Sequence, residues 1–373
     1  MKKIVINALA YKQNSSGIGV MIRELFEPYT KITKRKSQVL LPNDGPEFCG
    51  GERTETVRIP YKHKQNLRRM WFQSVRMGRC YCKNAVLLTT DSKIPFFLPK
   101  SCTVVPLITD LAVFRMPEAY QASRVLWWRC QYQYLKRRAA HFFAISEYTK
   151  RDIQKVLGVP TEQITVIYDA CSPAMHPVTD RVELEKLRKQ YDLPEHFVLF
   201  VGNSNPRKNL RRLMEAFDLV KGRTGLPYQL VIAGEQGWKF SKEQALAGLC
   251  YAKEIRFIGF VPDERMPALY SAADVFAFPT LYEGFGIPVL EAQACGTPVL
   301  TSDCTALPEV GGAGALYADP YNVEDIAEKL ERLMAQDTLR TALRDKGFAN
   351  AKRFSWEASA RQLDEWIERN VTE

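Results

Sequence analysis

Glu283 and Glu291, separated by seven residues, bracket the run Glu283-Gly-Phe-Gly-Ile-Pro-Val-Leu-Glu291. Gly284 and Gly286 carry no Cβ, so the backbone there can turn sharply and lie close against a ligand. Pro288 suits the first turn of a helix, where its missing N–H costs nothing. Gly296 then offers a left-handed stop. This junction predicts a helix N-terminus with free amides and a partial positive charge, suited to an anion. A carboxylate beside an anion site must bind something else, and sugar hydroxyls are natural partners. The same local sequence equally fits an ordinary capped helix with one exposed glutamate. A second glycine-bearing stretch, Ser15-Ser-Gly-Ile-Gly-Val20, lies between a strand-like and a helix-like run. Phosphates can sit on helix amides in that arrangement, although a tight turn at Gly17 and Gly19 explains it as well.

Such loops need strands and helices to hold them. Apolar runs at Lys3–Leu9, Val39–Leu41, Val86–Leu88, Thr103–Ile108 and His141–Ile145 read as strands with helical stretches between several of them. A second series runs through Phe197–Val201, Gln229–Ile232, Ile255–Ile258, Val275–Phe278 and Pro298–Thr301. Helices are predicted over Val182–Tyr191, Leu210–Val220, Asp325–Met334 and Glu357–Glu368. The alternation indicates open parallel α/β sheets. Ligands of such sheets bind beyond the C-terminal ends of strands, where Asp110, Ser146 and the Gly17 loop are expected to converge. Asp110 and Ser146 also fit a simple helix cap. Glu309, after Pro308, is expected in a loop near the site with a structural role.

The chain has 373 residues, 46% hydrophobic and 25% charged, a globular composition with material for two domains of about 150 residues each. No apolar run approaches the roughly 20 residues that cross a bilayer. The apolar start is broken by Asn7 and followed by Tyr11, Lys12 and Gln13, so it reads as a buried strand rather than a signal peptide. Nine cysteines and four histidines (His63, His141, His176, His196) show no zinc spacing. Structural thiols in a reduced compartment follow. No Asp-x-Asp occurs.

The net charge of +10 is uneven. Residues 1–180 hold 28 Lys/Arg and 14 Asp/Glu, a balance of +14; the remainder holds 24 and 28, a balance of −4. A basic first half suits an acidic partner. Its segment Tyr61–Lys83 carries seven Lys/Arg and no acidic residue. At 100° per residue, Leu67, Met70, Trp71, Val75, Met77 and Tyr81 share one side. Arg68, Arg69, Arg76, Arg79 and Lys83 fall opposite, with Phe72 among them and exposed. A basic amphipathic helix of this kind suits an anionic membrane surface, or packs its apolar face on its own domain. Arg124–Arg138, without a clean polar face, is expected to be a mostly packed helix. No nucleic-acid-binding module is present, so no nucleic-acid partner is expected.

Several ordered blocks resemble the family-4 retaining glycosyltransferases. They are Gly17-Ile-Gly19, Thr109-Asp-Leu111, Ala144-Ile-Ser-Glu147, Phe200-Val-Gly-Asn-Ser-Asn-Pro-Arg-Lys-Asn209, Phe257-Ile-Gly-Phe-Val-Pro262, Tyr282–Ala292 and Ala294-Cys-Gly-Thr-Pro-Val299. The resemblance implies a GT-B fold, two Rossmann-like domains facing each other across a cleft. The boundaries fall at 1–178 for an acceptor-binding domain and 179–352 for a nucleotide-sugar-binding domain. A helix over 353–373 returns toward the first. The resemblance further implies transfer of a hexose from a nucleotide diphosphate sugar to a polysaccharide or polyprenyl-linked acceptor, with retention and without a metal or other cofactor. An epimerase or phosphorylase on the same fold is the alternative, followed by a basic nucleic-acid-binding protein. A glycoside hydrolase using the two glutamates leaves Lys208 and both glycine loops unexplained.

By the same resemblance, Glu283 holds donor-sugar hydroxyls, Glu291 the ribose, and Lys208 the diphosphate, with Arg207 beside it. Fixed cations of this kind are what a leaving diphosphate needs where no divalent metal is present. Gly17, Gly19, Asn203, Gly284, Phe285 and Gly286 complete the implied donor site, and Asp110 joins Glu283 and Lys208 as catalytic. Three positions depart from the common pattern: Thr109 replaces a histidine, Asn203 an arginine, and Asp169-Ala170 an Asn-Gly. These departures bear on donor identity rather than reaction class. The implied location is the cytoplasm, peripheral at the inner face of the membrane through Arg68, Arg69, Trp71, Phe72, Arg76 and Arg79.

Overall fold

The computed structural model describes residues 1–12, 17–62, 66–90, 94–235 and 241–371. They form two compact units, Met1–Asp169 with Ser355–Glu373, and Ala170–Phe354. The first unit thus stops at Asp169 rather than 178, and the chain rejoins it at Ser355 rather than 353. Both changeovers lie in extended or turn segments that carry no strand.

The first unit is built on strands β1 (Lys3–Asn7), β2 (Ser37–Pro42), β3 (Thr54–Ile59), β4 (Ala85–Thr89), β5 (Thr103–Ile108), β6 (Phe142–Ala144) and β7 (Ile164–Val166). All pairs are parallel, in the order β3-β2-β1-β4-β5-β6-β7. β1 and β4 are almost wholly buried, because helices cover both faces of a parallel sheet and its central strands must be apolar on both sides. The expected strands are present. β3 and β7 were not anticipated: β3 is a mostly polar edge strand with half of its residues exposed, and β7 has three residues.

The second unit has β8 (Phe197–Val201), β9 (Gln229–Ala233), β10 (Ile255–Gly259), β11 (Val275–Phe278), β12 (Val299–Ser302) and β13 (Ala315–Ala318). Their order, β10-β9-β8-β11-β12-β13, is again parallel throughout. It is the doubly wound dinucleotide-fold order, which reverses direction between β8 and β11 and leaves a crevice for ligand beyond those strand ends. Helices Arg181–Tyr191, Leu210–Thr224, Val323–Ala335 and Trp356–Asn370 occupy the anticipated stretches. Glu309 lies in a short helix, Leu307–Gly311, not a loop.

The final helix, Trp356–Asn370, packs on Ile18–Ile32 in the first unit. Arg35, 4% exposed, donates to the Glu368 carboxylate at 2.6 Å and to the Val371 carbonyl at 2.9 Å. Trp366 stacks on His141 with ring centroids 4.4 Å apart. Burial, aided by Lys150, lowers the His141 pKa to about 4, so this imidazole is neutral at pH 7.

The basic segment corrects one expectation. Phe72–Arg76 is a π-helical turn between α-helical Asn66–Trp71 and Met77–Tyr81. The wider turn breaks the 100° period between the segments before and after it, so one wheel cannot assign faces to both. Phe72, expected outside among the arginines, is buried between Tyr61 and Tyr81 at centroid distances of 6.2 and 6.1 Å. Met70 and Trp71, expected inside, are exposed. His63, Lys64 and Gln65 lie outside the described residues. Helix Ala122–Arg138 is also less packed than anticipated, burying only Val125, Gln131, Tyr132 and Leu135 while Leu126 stays 66% exposed. Among the described residues, no helix is long and apolar enough to cross a membrane.

Candidate active site

The loop after β8 begins with Gly202 and passes close beneath the loop after β9. A Cβ on Gly234 would collide with the Gly202 carbonyl, so glycine is required where the two backbones meet. Asn205 then caps the turn Pro206–Lys208 by accepting from the Arg207 N–H at 3.0 Å. Asn209 follows in the left-handed region, φ 58°, and starts the helix Leu210–Thr224. Its buried amide donates to the carbonyls of Pro279 and Pro320 at 2.9 and 2.6 Å. That double anchor ties the turn to the ends of β11 and β13, and it aims Arg207 and Lys208 at one place.

That place is Glu283. Lys208 Nζ lies 2.8 Å from one carboxylate oxygen and Arg207 Nη1 lies 2.9 Å from the other. All three side chains are largely enclosed, with exposures of 10% for Glu283, 14% for Lys208 and 18% for Arg207. Burial alone would raise the Glu283 pKa; Arg207 and then Lys208 outweigh it and hold the carboxyl below its ordinary value. Arg207 also donates to the Tyr282 carbonyl at 2.6 Å. The Lys208 ammonium lies 4.7 Å from the Phe278 ring centroid, an added attraction for a cation out of bulk water. Two cations and a carboxylate from segments 75 residues apart thus share one enclosed spot.

Glu291 stands apart from that cluster. The helix Ile287–Ala294 starts after Gly286, φ 107°, with Pro288 in its first turn. A Cβ on Gly286 would meet Leu307 Cδ2 at 2.7 Å, so this glycine serves packing as well as backbone turn. Phe285 is 3% exposed and packs edge-on against Phe354 at 5.5 Å, so its side chain belongs to the core. Glu291 Oε2 accepts from the Tyr270 hydroxyl at 2.8 Å. Burial pushes the Glu291 carboxyl up to about 7, against the lowering influence of that hydroxyl, with Asp263 adding to the rise. Tyr270, fully buried, carried no signal in the sequence beyond its apolar surroundings.

Asn203 is exposed at the start of the β8 loop. In the first unit, Gly17 begins the helix Ile18–Ile32 with φ 62°, and Gly19 lies in its first turn, buried. Ser15 and Ser16 lie outside the described residues. Asp110 accepts from the Ala112 N–H at 2.9 Å, and Ser146 from the Thr149 N–H at 2.9 Å. Ser146 therefore caps the helix Glu147–Asp152, whereas Asp110 closes a turn ahead of the helix Ala112–Arg115, whose N-cap is Leu111. Asp110 and Ser146 follow β5 and β6, so in a parallel sheet they share the C-terminal end with the Gly17 turn after β1. Among the described residues, no group of three or more His, Cys, Asp or Glu side chains is arranged to hold a metal ion.

Two doubly wound units, one with paired cations and a carboxylate at its strand ends, have the architecture of the GT-B glycosyltransferases, and comparison with known proteins agrees. The model of the family "Glycosyl transferases group 1" matches residues 183–354. The O-antigen chain mannosyltransferase B of Escherichia coli is 34% identical over 264 residues, covering 70% of this chain and 69% of that protein. Among solved structures, WaaG, a glycosyltransferase involved in lipopolysaccharide biosynthesis, aligns with a TM-score of 0.75 at 18% identity over 98% of this chain and 99% of its own. Anabaena HepE, in complex with UDP and glucose, aligns at 0.72 and 18% identity over 99% and 100%. The chain belongs to the group 1 glycosyltransferases.

Proposed function

We propose that the protein transfers a mannosyl residue from a nucleotide diphosphate sugar to a growing polysaccharide or lipid-linked saccharide, with retention of configuration and without a divalent metal. The convergence of Arg207 and Lys208 on Glu283 carries this reading. A departing diphosphate needs positive charge that is fixed before the reaction, and two enclosed cations supply it. Glu283, kept ionised by those cations, is suited to accept hydrogen bonds from donor-sugar hydroxyls. Glu291 and the Tyr270 hydroxyl suit a ribose, whose vicinal hydroxyls can donate to the carboxylate. Mannose is favoured because the O-antigen relative is a mannosyltransferase. A nucleotide donor is favoured by the UDP and glucose held in HepE.

Thermal shift with GDP-mannose, UDP-glucose and dTDP-rhamnose, each with EDTA, tests the proposal. A ligand at 100 times its Kd stabilises by about 2.7 kcal/mol, enough to move the melt by several degrees. GDP-mannose should stand out; no response to any of the three would sink it.

The proposal places the protein at the cytoplasmic face of an anionic membrane, through a surface of the first unit. Met70, Trp71, Phe96, Phe97 and Leu126 are all exposed. Arg76 lies over the Trp71 ring at 5.8 Å and Arg79 over the Phe97 ring at 4.7 Å. Aromatic rings interleaved with guanidinium groups suit a headgroup layer, where the rings enter the interface and the charges meet anionic lipid. Trp71 keeps its expected role there, and Phe97 takes the place of buried Phe72.

A further inference from the structure

The segment that carries Glu283 leaves β11 and runs through Pro279, Thr280, Leu281 and Tyr282 with no regular partner strand. Even so, its backbone groups are engaged one after another by side chains. Thr301 donates its hydroxyl to the Phe278 carbonyl at 2.9 Å, and Ser302 donates to the Thr280 carbonyl at 2.7 Å. The Cys304 thiol reaches the Leu281 carbonyl at 3.8 Å. The Glu283 N–H then donates to Thr305 Oγ1 at 3.4 Å, and Leu307 packs where a Cβ on Gly286 would sit. On the other flank, Asn209 bonds the Pro279 carbonyl and Arg207 the Tyr282 carbonyl. Every carbonyl from Phe278 to Tyr282 therefore accepts from a side chain.

Thr305 makes this arrangement more than incidental. It adopts φ 59°, and the other non-glycine residues with positive φ among the described residues are Asn84, Asp192 and Asn209. Asparagine and aspartate tolerate that region; a β-branched threonine is strained in it, and such strain persists where surrounding contacts over-determine the backbone. A glycine would hold the same turn without strain and without a hydroxyl. Thr305 lies where the ladder meets the Glu283 amide.

We propose that Thr301, Ser302, Cys304 and Thr305 form a positioning ladder that fixes Glu283 against the donor sugar, with strained Thr305 setting the last rung. The proposal rests on the reading of Glu283 as a sugar ligand. The ladder acts through Glu283 and touches no substrate. Its loss misplaces the sugar while the affinity that Arg207 and Lys208 give the diphosphate is kept, so it falls on kcat rather than KM.

The test compares Thr305→Gly and Thr305→Ser with wild type by amide hydrogen exchange, melting and transfer from GDP-mannose. Thr305→Gly should melt no lower than wild type, because strain is relieved. Its Glu283 amide should exchange at least about tenfold faster, and kcat should fall about ten- to a hundredfold with KM little changed. Thr305→Ser should bring exchange and kcat back to near wild type. Unchanged exchange at Glu283 in Thr305→Gly overturns the proposal, as does a serine variant as slow as the glycine one, or a loosened amide with full kcat. If wild type turns over no GDP-mannose, the functional reading fails on its own, and the exchange measurement on the protein alone still decides the ladder.

Discussion

Glu291→Gln offers a measurement whose size follows from the structure. The Glu291 carboxyl has an ordinary pKa of 4.5 and is raised by burial to about 7. Below 4.5 it is protonated in both folded and unfolded chains and contributes nothing. Between 4.5 and 7 the folded state holds a proton that the unfolded state releases, so stability falls as pH rises. Above 7 both states are ionised and the deficit is constant, about 3 kcal/mol. Most of it, about 2 to 3 kcal/mol, develops between pH 5 and pH 8. Glutamine keeps an oxygen that can accept from Tyr270 and does not titrate. Urea unfolding of both proteins across that range, followed by a probe in the second unit, should show the glutamine variant gaining on wild type by about this amount. Other titrating groups are common to both and cancel. Stability curves that stay parallel from pH 5 to pH 8 would refute the account of Glu291 as an enclosed, readily protonated carboxyl.

Three further outcomes follow from the same site and the first-unit surface. Lys208→Ala removes one of two cations from enclosed Glu283 and should lower stability by about 1.5–3 kcal/mol, measured by chemical unfolding; it should also abolish the thermal shift produced by the donor. Asn209→Ala leaves two carbonyls without their donor and forces alanine into a left-handed backbone, a loss of about 3 kcal/mol that calorimetry would register; an unaltered melt contradicts the anchoring role. Charge reversal at Arg76 and Arg79 together should release the protein from vesicles containing anionic lipid, with donor-induced thermal shift unchanged; equal sedimentation of variant and wild type removes the membrane surface.

How much of this was legible in the sequence depended on the range of the interactions. Phe197–Val201 is apolar at every position and reads at once as a central buried strand. The polar edge strand Thr54–Ile59 and three-residue Ile164–Val166 do not, because their pairing partners rather than their own side chains make them strands. The order of the motifs and the two-unit architecture were readable, since each βα step is local. The mutual engagement of Lys208 and Glu283 was not, because only the reversal of strand order between β8 and β11 brings their loops together. Tyr270 looked like one more core aromatic, and its hydroxyl has meaning only once Glu291 is placed beside it. Thr305 could not have been singled out, since backbone strain has no signature in residue type. Phe72 was misread for a different cause: a single wide turn breaks the periodicity on which face assignments rest.

The return of the last helix to the first unit sets an order on synthesis at the ribosome. The ion pair between Arg35 and Glu368 joins residues 333 apart in the chain. At the usual pace of translation, on the order of 20 to 70 s separate their emergence. For that interval the helix Ile18–Ile32 lacks its covering helix and Arg35 lacks its carboxylate, and every strand of the second unit is made before the interval ends. The second unit can therefore complete its sheet while the first still lacks its last helix.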